Sequence, residues 1–281
     1  MSIMKKLKEY LNRPLSFVMF LLIIISTVIT ALTVVFIIGY IFIKGVPNLS
    51  LDLFSLKYSS SNQSMLPSII NTVYLTALTL LLAVPIGIFS AIYLAEYSRK
   101  NSFFVKIINI ANETLSGIPS IVYGLFGFLA FVISKKWGYS LLAGVITLAI
   151  MVLPLIIRTS QEAMLGVDNT FREASYGLGA GKLRTVFKIV LPSAMPGILS
   201  GIILAIGRIV GETAALIYTA GTVPEAATKL TSSSRTISVH LYCLLNEGLY
   251  TEQAYATAVV LIVFVVIINA LSNALAKKIM E

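Results

Sequence analysis

The chain has 281 residues, 57% hydrophobic and only 12% charged, with a formal net charge of +9. A soluble domain carries about 25% charged residues, so the composition excludes a soluble globular protein and fills most of the length with apolar segments. A single cysteine, Cys243, and a single histidine, His240, exclude an internal disulfide and a histidine metal cluster. No Walker-type phosphate loop, HExxH or CxxC occurs, so nothing argues for catalysis or for a cofactor held by this chain.

Segment 1–13 is short and basic, and 14–43 is one uncharged run. About 20 apolar residues cross a bilayer, and this run is too long for a signal-peptide core and lacks a cleavage pattern, so it reads as a first span. A polar loop rich in Ser and Asn leads to a second span, 68–95. A short basic turn precedes a third, 107–133, which carries Glu113 and the breaker Gly117-Ile118-Pro119. That breaker reads either as a packing kink or as a hinge at Gly117 and Pro119 or opened backbone lining a pathway, which a membrane tolerates only beside a cavity. The fourth span is 139–157, the fifth 198–220 and the sixth 254–276, before a short C-terminal segment, 277–281. Trp137 and Tyr139 read as interfacial anchors. The expectation is an all-α integral membrane protein of six spans with no soluble domain.

Six spans put both termini on one side. With the N-terminus inside, the inner segments hold Lys5, Lys6, Lys8, Arg13, Arg99, Lys100, Lys106, Arg158, Arg172, Lys182, Arg184, Lys188, Lys277 and Lys278. The outer segments hold Lys44, Lys57, Lys135, Lys136, Lys229 and Arg235. Fourteen against six favours a cytoplasmic N-terminus by the positive-inside rule. The basic excess is thus a topology signal and not a nucleic-acid signal.

The inner loop 158–192 is polar, basic and punctuated by glycine. Thr170-x-x-Glu173 fits a capping box. Gly177, Gly179 and Gly181 tolerate φ > 0 and can stop a helix. A second short helix is expected over 182–191, ended by Pro192, which lacks the N–H to continue the ladder.

Within the fifth span, Arg208 falls about 15 Å deep at 1.5 Å per residue, near the middle of a ~30 Å core. An arginine there costs roughly 2.5–3.5 kcal/mol on insertion scales. Glu212 follows at i+4, on the same face of a continuous helix. Two readings stand: a structural ion pair, or an anion site built on the planar guanidinium fork. Arg158 and Glu162 form a second i,i+4 pair, read as a solvated helix-end pair or as part of a pathway. Glu113 reads as a partner of Arg158 across helices or as a snorkelling acid. His240 and Cys243 are assigned no role.

Glu173-Ala174-Ser175, then Gly179, then Ile189-x-Leu191-Pro192 resembles the EAA loop of ABC-importer permeases, with Ser175 where the family usually has Ala. The resemblance implies a type I importer permease fold and a coupling helix that docks into a cleft on a cytoplasmic ATPase. Gly207-Arg208-Ile-Val-Gly211-Glu212-Thr213-Ala214-Ala215-Leu216 resembles the fifth-span motif of phosphate-importer permeases, and Ser116 to Gly124 their third-span motif. Ala-Ala-Leu after Gly-Glu-Thr is closer to the PstA-type subunit than to its PstC-type partner. Where the family often reads Arg-Thr-x-Glu after the fourth span, this chain has Gln161 and places the acid one residue later, at Glu162.

The resemblance implies a phosphate importer in a bacterial or archaeal cell membrane. Its parts would be a homologous PstC-type permease, two ATPase subunits that bind ATP and Mg, and an external phosphate-binding protein. The alternatives are a permease for another oxyanion such as sulfate or molybdate, or an ion-coupled secondary transporter with Glu212 as proton relay.

Overall fold

The computed structural model describes residues 14–98 and 102–280. Segment 1–13, Arg99, Lys100, Asn101 and Glu281 therefore lie outside the described residues. Everything regular among the described residues is helical. Helix α1 runs Pro14–Gly45 and α2 Leu66–Ile92, the latter continued by a π turn, Tyr93–Tyr97. Helix α3 is Phe103–Ser116 and α4 is Ser120–Gly127, extended by a π segment Phe128–Ser134. Helix α5 is Leu141–Leu165 and α6 Asn169–Gly177. Helix α7, Lys182–Thr185, passes through a π turn Val186–Val190 into α8, Leu191–Val210. Helices α9 (Ala214–Thr219), α10 (Ile237–Glu247) and α11 (Thr251–Met280) complete the chain.

Five of the helical stretches are long and apolar enough to cross a membrane, and six if the bent pair α3 and α4 counts as one span. This is a multi-pass membrane protein. The two arms of that pair meet at 101°, across Gly117-Ile118-Pro119.

Helix α5 is the axis of the bundle, packed chiefly against α2 and α8. Ser140 starts it by accepting a hydrogen bond from the Ala143 N–H at 3.3 Å. Its Leu148, Met151, Val152 and Ile156 are fully buried with Leu75 and Ala83 of α2, Ile209 of α8 and Leu216 of α9. In lipid such contacts gain by close packing, since hydrocarbon already surrounds the separated helices. Small residues set the approach: a Cβ at Gly144 would meet Ala220 Cβ at 2.9 Å. Thr72, Thr147, Thr219 and Thr257 return their hydroxyls to the carbonyl one turn earlier, at 2.7–2.8 Å, which satisfies those four donors within their own helices.

Helix α1 is the exception to this packing. None of its most apolar stretch is buried. It meets the rest of the chain near its C-terminal end, where Tyr40 lies edge-on to Tyr255 of α11, 5.9 Å between ring centroids.

Three sequence expectations are corrected. The fourth helix runs on to Leu165, so Arg158 and Glu162 sit on a membrane helix and the inner loop begins later. Pro192 does not end a helix. The π turn before it, closed by Leu191 N–H to Val186 O, carries the helix past the proline, and 182–210 is one apolar stretch. The fifth span does not continue to residue 220: α8 stops at Val210, and Gly211-Glu212-Thr213 form a break before α9.

Candidate functional site

The inner loop is built on α6. Asp168, not Thr170, caps it: the carboxylate accepts from the Thr170 N–H and hydroxyl, both at 2.9 Å. These two bonds hold the Asp168 carboxyl below its usual range. Glu173 of the expected capping box is exposed and free to face outward. At the other end, Ala180 N–H reaches Ser175 O at 3.1 Å and Gly179 N–H reaches Tyr176 O at 2.9 Å. This is a Schellman stop with Gly179 at φ +77°. Of the three candidate glycines only Gly179 takes positive φ.

The stop turns the chain into α7, and Ser175 closes the turn through a 2.8 Å hydrogen bond to Thr185. Glu173 and Ala174 face outward on α6, with Leu178 90% and Leu183 66% exposed beside them. Ile189 and Leu191 are half-buried where α7 runs into α8, and Pro192 is exposed.

A contact that sequence reading missed fixes this loop to the bundle. Arg172 donates Nη2 and Nε to Glu96 Oε1, at 2.6 and 3.1 Å, across 76 residues. It also donates Nη2 to Met164 O at 2.8 Å, Nη1 to Val167 O at 2.7 Å and Nη1 to Asn169 Oδ1 at 3.3 Å. The side chains are only 13% and 6% exposed. One guanidinium thus ties the π turn after α2, the end of α5 and the start of α6. Lys182 adds a second tie, its ammonium 4.9 Å from the centre of the Tyr97 ring.

The membrane-embedded candidates lie where two helix breaks meet. Gly124 of α4 sits against α9, where a Cβ would come within 2.8 Å of Ala215 Cα. Tyr123 spans the α3–α4 bend by donating its hydroxyl to Leu115 O at 2.8 Å. Pro119 is extended (φ −59°, ψ 141°) and starts α4, while Gly117 has ordinary helical φ. Arg208 occupies the last turn of α8, half-buried and within electrostatic reach of the Tyr123 hydroxyl.

The expected Arg208–Glu212 pair is not formed. Because the helix ends between them, Glu212 points the other way: its Oε1 accepts the Ala215 N–H at 3.0 Å and so caps α9. The ion pairs among the described residues are Arg158–Glu162 and Arg172–Glu96. Arg208 has no carboxylate partner among the described residues, and the Gly207 position beside it is open.

Arg158 Nε and Glu162 Oε1 lie 2.9 Å apart, both more than half exposed, so solvent screens the pair and it adds little to stability. Glu113, Arg158 and Glu162 line one cleft of about 220 Å³ between α3 and α5, with Asn109, Asn112 and Gln161. Glu113 reaches that cleft without pairing with Arg158. No group of three or more His, Cys, Asp or Glu able to hold a metal occurs among the described residues.

Residues 83–281 match the family model described as "Binding-protein-dependent transport system inner membrane component". The chain is 35% identical over 230 residues to the phosphate transport system permease protein PstA of Pasteurella multocida, covering 80% of this chain and 81% of that one. It is 32% identical over 249 residues to the probable ABC transporter permease protein YqgI of Bacillus subtilis, covering 82% and 84%. Among solved structures, a chain of a bacterial ABC transporter that imports alginate superposes with a TM-score of 0.67 at 17% identity, over 99% of this chain and all of the other. A chain of the MetNI methionine ABC transporter, in an inward-facing conformation, gives 0.58 at 17% identity, over 74% and 93%.

Proposed function

This chain belongs to the family of binding-protein-dependent transport system inner membrane components, and from that membership we propose that it is a permease subunit of an ATP-driven inorganic phosphate importer. It forms half of the translocation path beside a second, PstC-type permease. Two ATPase subunits bind ATP and Mg and hydrolyse the nucleotide, and an external phosphate-binding protein delivers the substrate. In this reading both termini and the α6–α7 loop face the cytoplasm, which the positive-inside distribution of lysine and arginine supports.

The observation that carries this reading is α6 itself. A short helix with outward-facing Glu173 and Ala174 ends in a glycine stop and is locked to the ends of α2 and α5 by Arg172. A helix pinned so firmly at one face and bare at the other is suited to enter a cleft on a partner and pass its movement to the bundle. In this reading Glu173, Ala174, Ser175, Gly179, Ile189, Leu191 and Pro192 shape the ATPase contact. Gly117 and Pro119 open the backbone beside the path.

The relatives named for phosphate transport supply the substrate, and Arg208 supplies a chemistry that fits it. Its charge is half-buried and has no carboxylate partner among the described residues. A guanidinium so placed binds phosphate oxygens strongly. A matching arginine of the second permease would complete the clasp. Glu212, Glu113, Arg158 and Glu162 take supporting places, Glu212 by capping α9 beside the arginine and the others by lining the inner cleft. Co-expression with the partner subunits, followed by uptake of labelled phosphate against sulfate and molybdate, tests the reading. Failure of phosphate to be transported would reject it.

A further inference from the structure

The break that ends α8 leaves main-chain carbonyls that the helix itself cannot pair, and in a membrane protein each needs a donor from within the chain. Two are met locally: Gly211 N–H donates to Gly207 O and Glu212 N–H to Ile209 O, both at 3.2 Å. Val210 O and Glu212 O take their donor from another element. Ser238, in the first turn of α10 and 5% exposed, gives its hydroxyl to Glu212 O at 2.8 Å, with Val210 O sharing the proton at 3.2 Å. The Ser238 oxygen also lies 3.1 Å from the Thr236 hydroxyl. Since the Ser238 proton is spent on the break, Thr236 is the donor of that pair. One buried hydroxyl thus holds the last residue of α8 and the middle residue of the break.

Packing supports this turn on one side only. Arg208 stands two residues before Val210, in the last turn of α8. Ile209 and Val210 bury one face of that turn, each 1% exposed. On the other, a Cβ at Gly207 would meet nothing within 4 Å, and one at Gly211 only Gly207 O of its own helix, at 3.5 Å. Side chains that could wedge the glycine face are missing, so the hydrogen bonds from α10 fix the direction in which the turn ends.

Ser238 can do this because the start of α10 is itself anchored. Ile237 N–H donates to Thr72 Oγ1 of α2 at 3.0 Å. Asn71, next to it, donates to Arg235 O at 3.2 Å and Glu225 O at 3.0 Å, and accepts the Ala227 N–H at 2.8 Å. Both α2 side chains are buried, Asn71 at 0% and Thr72 at 1% exposure. Two adjacent residues of α2 therefore set the place of α10, and Ser238 passes that place on to the turn that carries Arg208.

We propose that Ser238 is a positioning residue for phosphate passage: anchored through α10 to Asn71 and Thr72, its hydroxyl fixes the α8–α9 break and so the direction in which Arg208 meets the anion. Ser238 does not touch the anion; it acts through the backbone of Val210 and Glu212. Small misplacements of a binding group are costly in rate, so a hydroxyl two residues from the arginine in space of one turn controls transport without contacting the cargo. The proposal rests on the reading of Arg208 as the group that meets phosphate.

The test compares wild type, Ser238→Ala and Thr72→Val in proteoliposomes holding the complete complex and the external binding protein. Ser238→Ala removes the donor without adding volume, and Thr72→Val removes the acceptor of Ile237 N–H at nearly constant shape. Labelled phosphate taken up per ATP hydrolysed is measured, and amide exchange of the break is read by mass spectrometry on the same complexes. Ser238→Ala should lower phosphate per ATP by about tenfold, the ratio expected when a buried carbonyl loses its donor, while ATP hydrolysis per complex stays at the wild-type level. Thr72→Val should shift the ratio in the same direction. Exchange at Gly211, Glu212 and Ala215 should quicken roughly tenfold in Ser238→Ala, with the amides of α5 unchanged. An unchanged ratio in Ser238→Ala would overturn the proposal. So would uptake and hydrolysis falling together, since a merely structural role removes folded complex and leaves the ratio alone. Wild type that hydrolyses ATP yet moves no phosphate would instead reject the importer reading, and exchange at the break then decides: quickened exchange in Ser238→Ala upholds the hold on the turn, unchanged exchange overturns it.

Discussion

Replacing Arg172 by alanine removes five hydrogen bonds at once and leaves Glu96, 6% exposed, without its partner. Breaking a buried pair from one side costs roughly 3–5 kcal/mol, because the stranded charge keeps its desolvation penalty. The loss falls on the link between α6 and the bundle, since the hydrophobic cluster of Ala91, Ile92, Met164, Val186, Val190 and Ala194 stays intact. Opening of α6 should therefore become easier by about 3 kcal/mol, and amide exchange there faster by about a hundredfold or more, with the amides of α5 unaffected. Glu96→Gln should cost less, because an amide oxygen still accepts from the guanidinium. Exchanging the two charges, Arg172→Glu with Glu96→Arg, should not restore α6, since Met164 O and Val167 O need a donor at position 172. Hydrogen exchange read by mass spectrometry on the detergent-solubilised chain makes the comparison. Unchanged exchange in α6 of Arg172→Ala, or full rescue by the exchanged pair, would refute the reasoning.

Other substitutions separate conformational from steric effects. Gly179→Val places a β-branched residue at φ +77° where no atom lies within 4 Å. Its cost of about 1–3 kcal/mol is purely backbone strain; membrane insertion should persist while co-purification of the ATPase falls, and Gly179→Asn should be milder. Gly124→Leu meets Ala215 Cα directly and should lower the unfolding temperature of the whole bundle by forcing α4 from α9, an overpacking cost of roughly 1–3 kcal/mol. Burial, then the Arg235 charge, hold His240 at about 3 when folded against 6.5 unfolded. Above 6.5 both states hold it neutral and its contribution is complete. As pH falls from 6.5 towards 3 only the unfolded chain gains the proton, so stability drops by about 1.4 kcal/mol per unit. Unfolding in gluconate buffer should show this loss, and His240→Gln should remove it.

The apolar spans were legible because length and composition alone specify a membrane helix, and the all-α fold and the family followed from them and from the loop spacing. What sequence reading missed are places where local pattern is ambiguous or distance in the chain is large. Gly211-Glu212-Thr213 lies in a run that reads as continuous helix, so Arg208 and Glu212 appeared to share a face; the break becomes visible only when α9 packs beside the α3–α4 bend. Pro192 reads as a stop, but the π turn ahead of it removes the need for one. Thr170 fits a capping box, yet Asp168 two residues earlier is the better acceptor. Arg172 read as one more inner-loop cation, because its partner Glu96 is 76 residues away. Arg235 and His240 gave no signal at all, since only folding strips them of water together.

The central claim is that this chain carries phosphate under the power of a separate ATPase, with Arg208 as the group that meets the anion. It is tested most directly in proteoliposomes holding the complete complex and the external binding protein, by measuring labelled phosphate uptake and ATP hydrolysis together. The account predicts ATP-dependent uptake in wild type, strongly reduced uptake with Arg208→Lys, and none with Arg208→Ala although that complex assembles and still hydrolyses ATP. Normal phosphate uptake by Arg208→Ala, or wild-type uptake that follows an ion gradient without ATP, would contradict it.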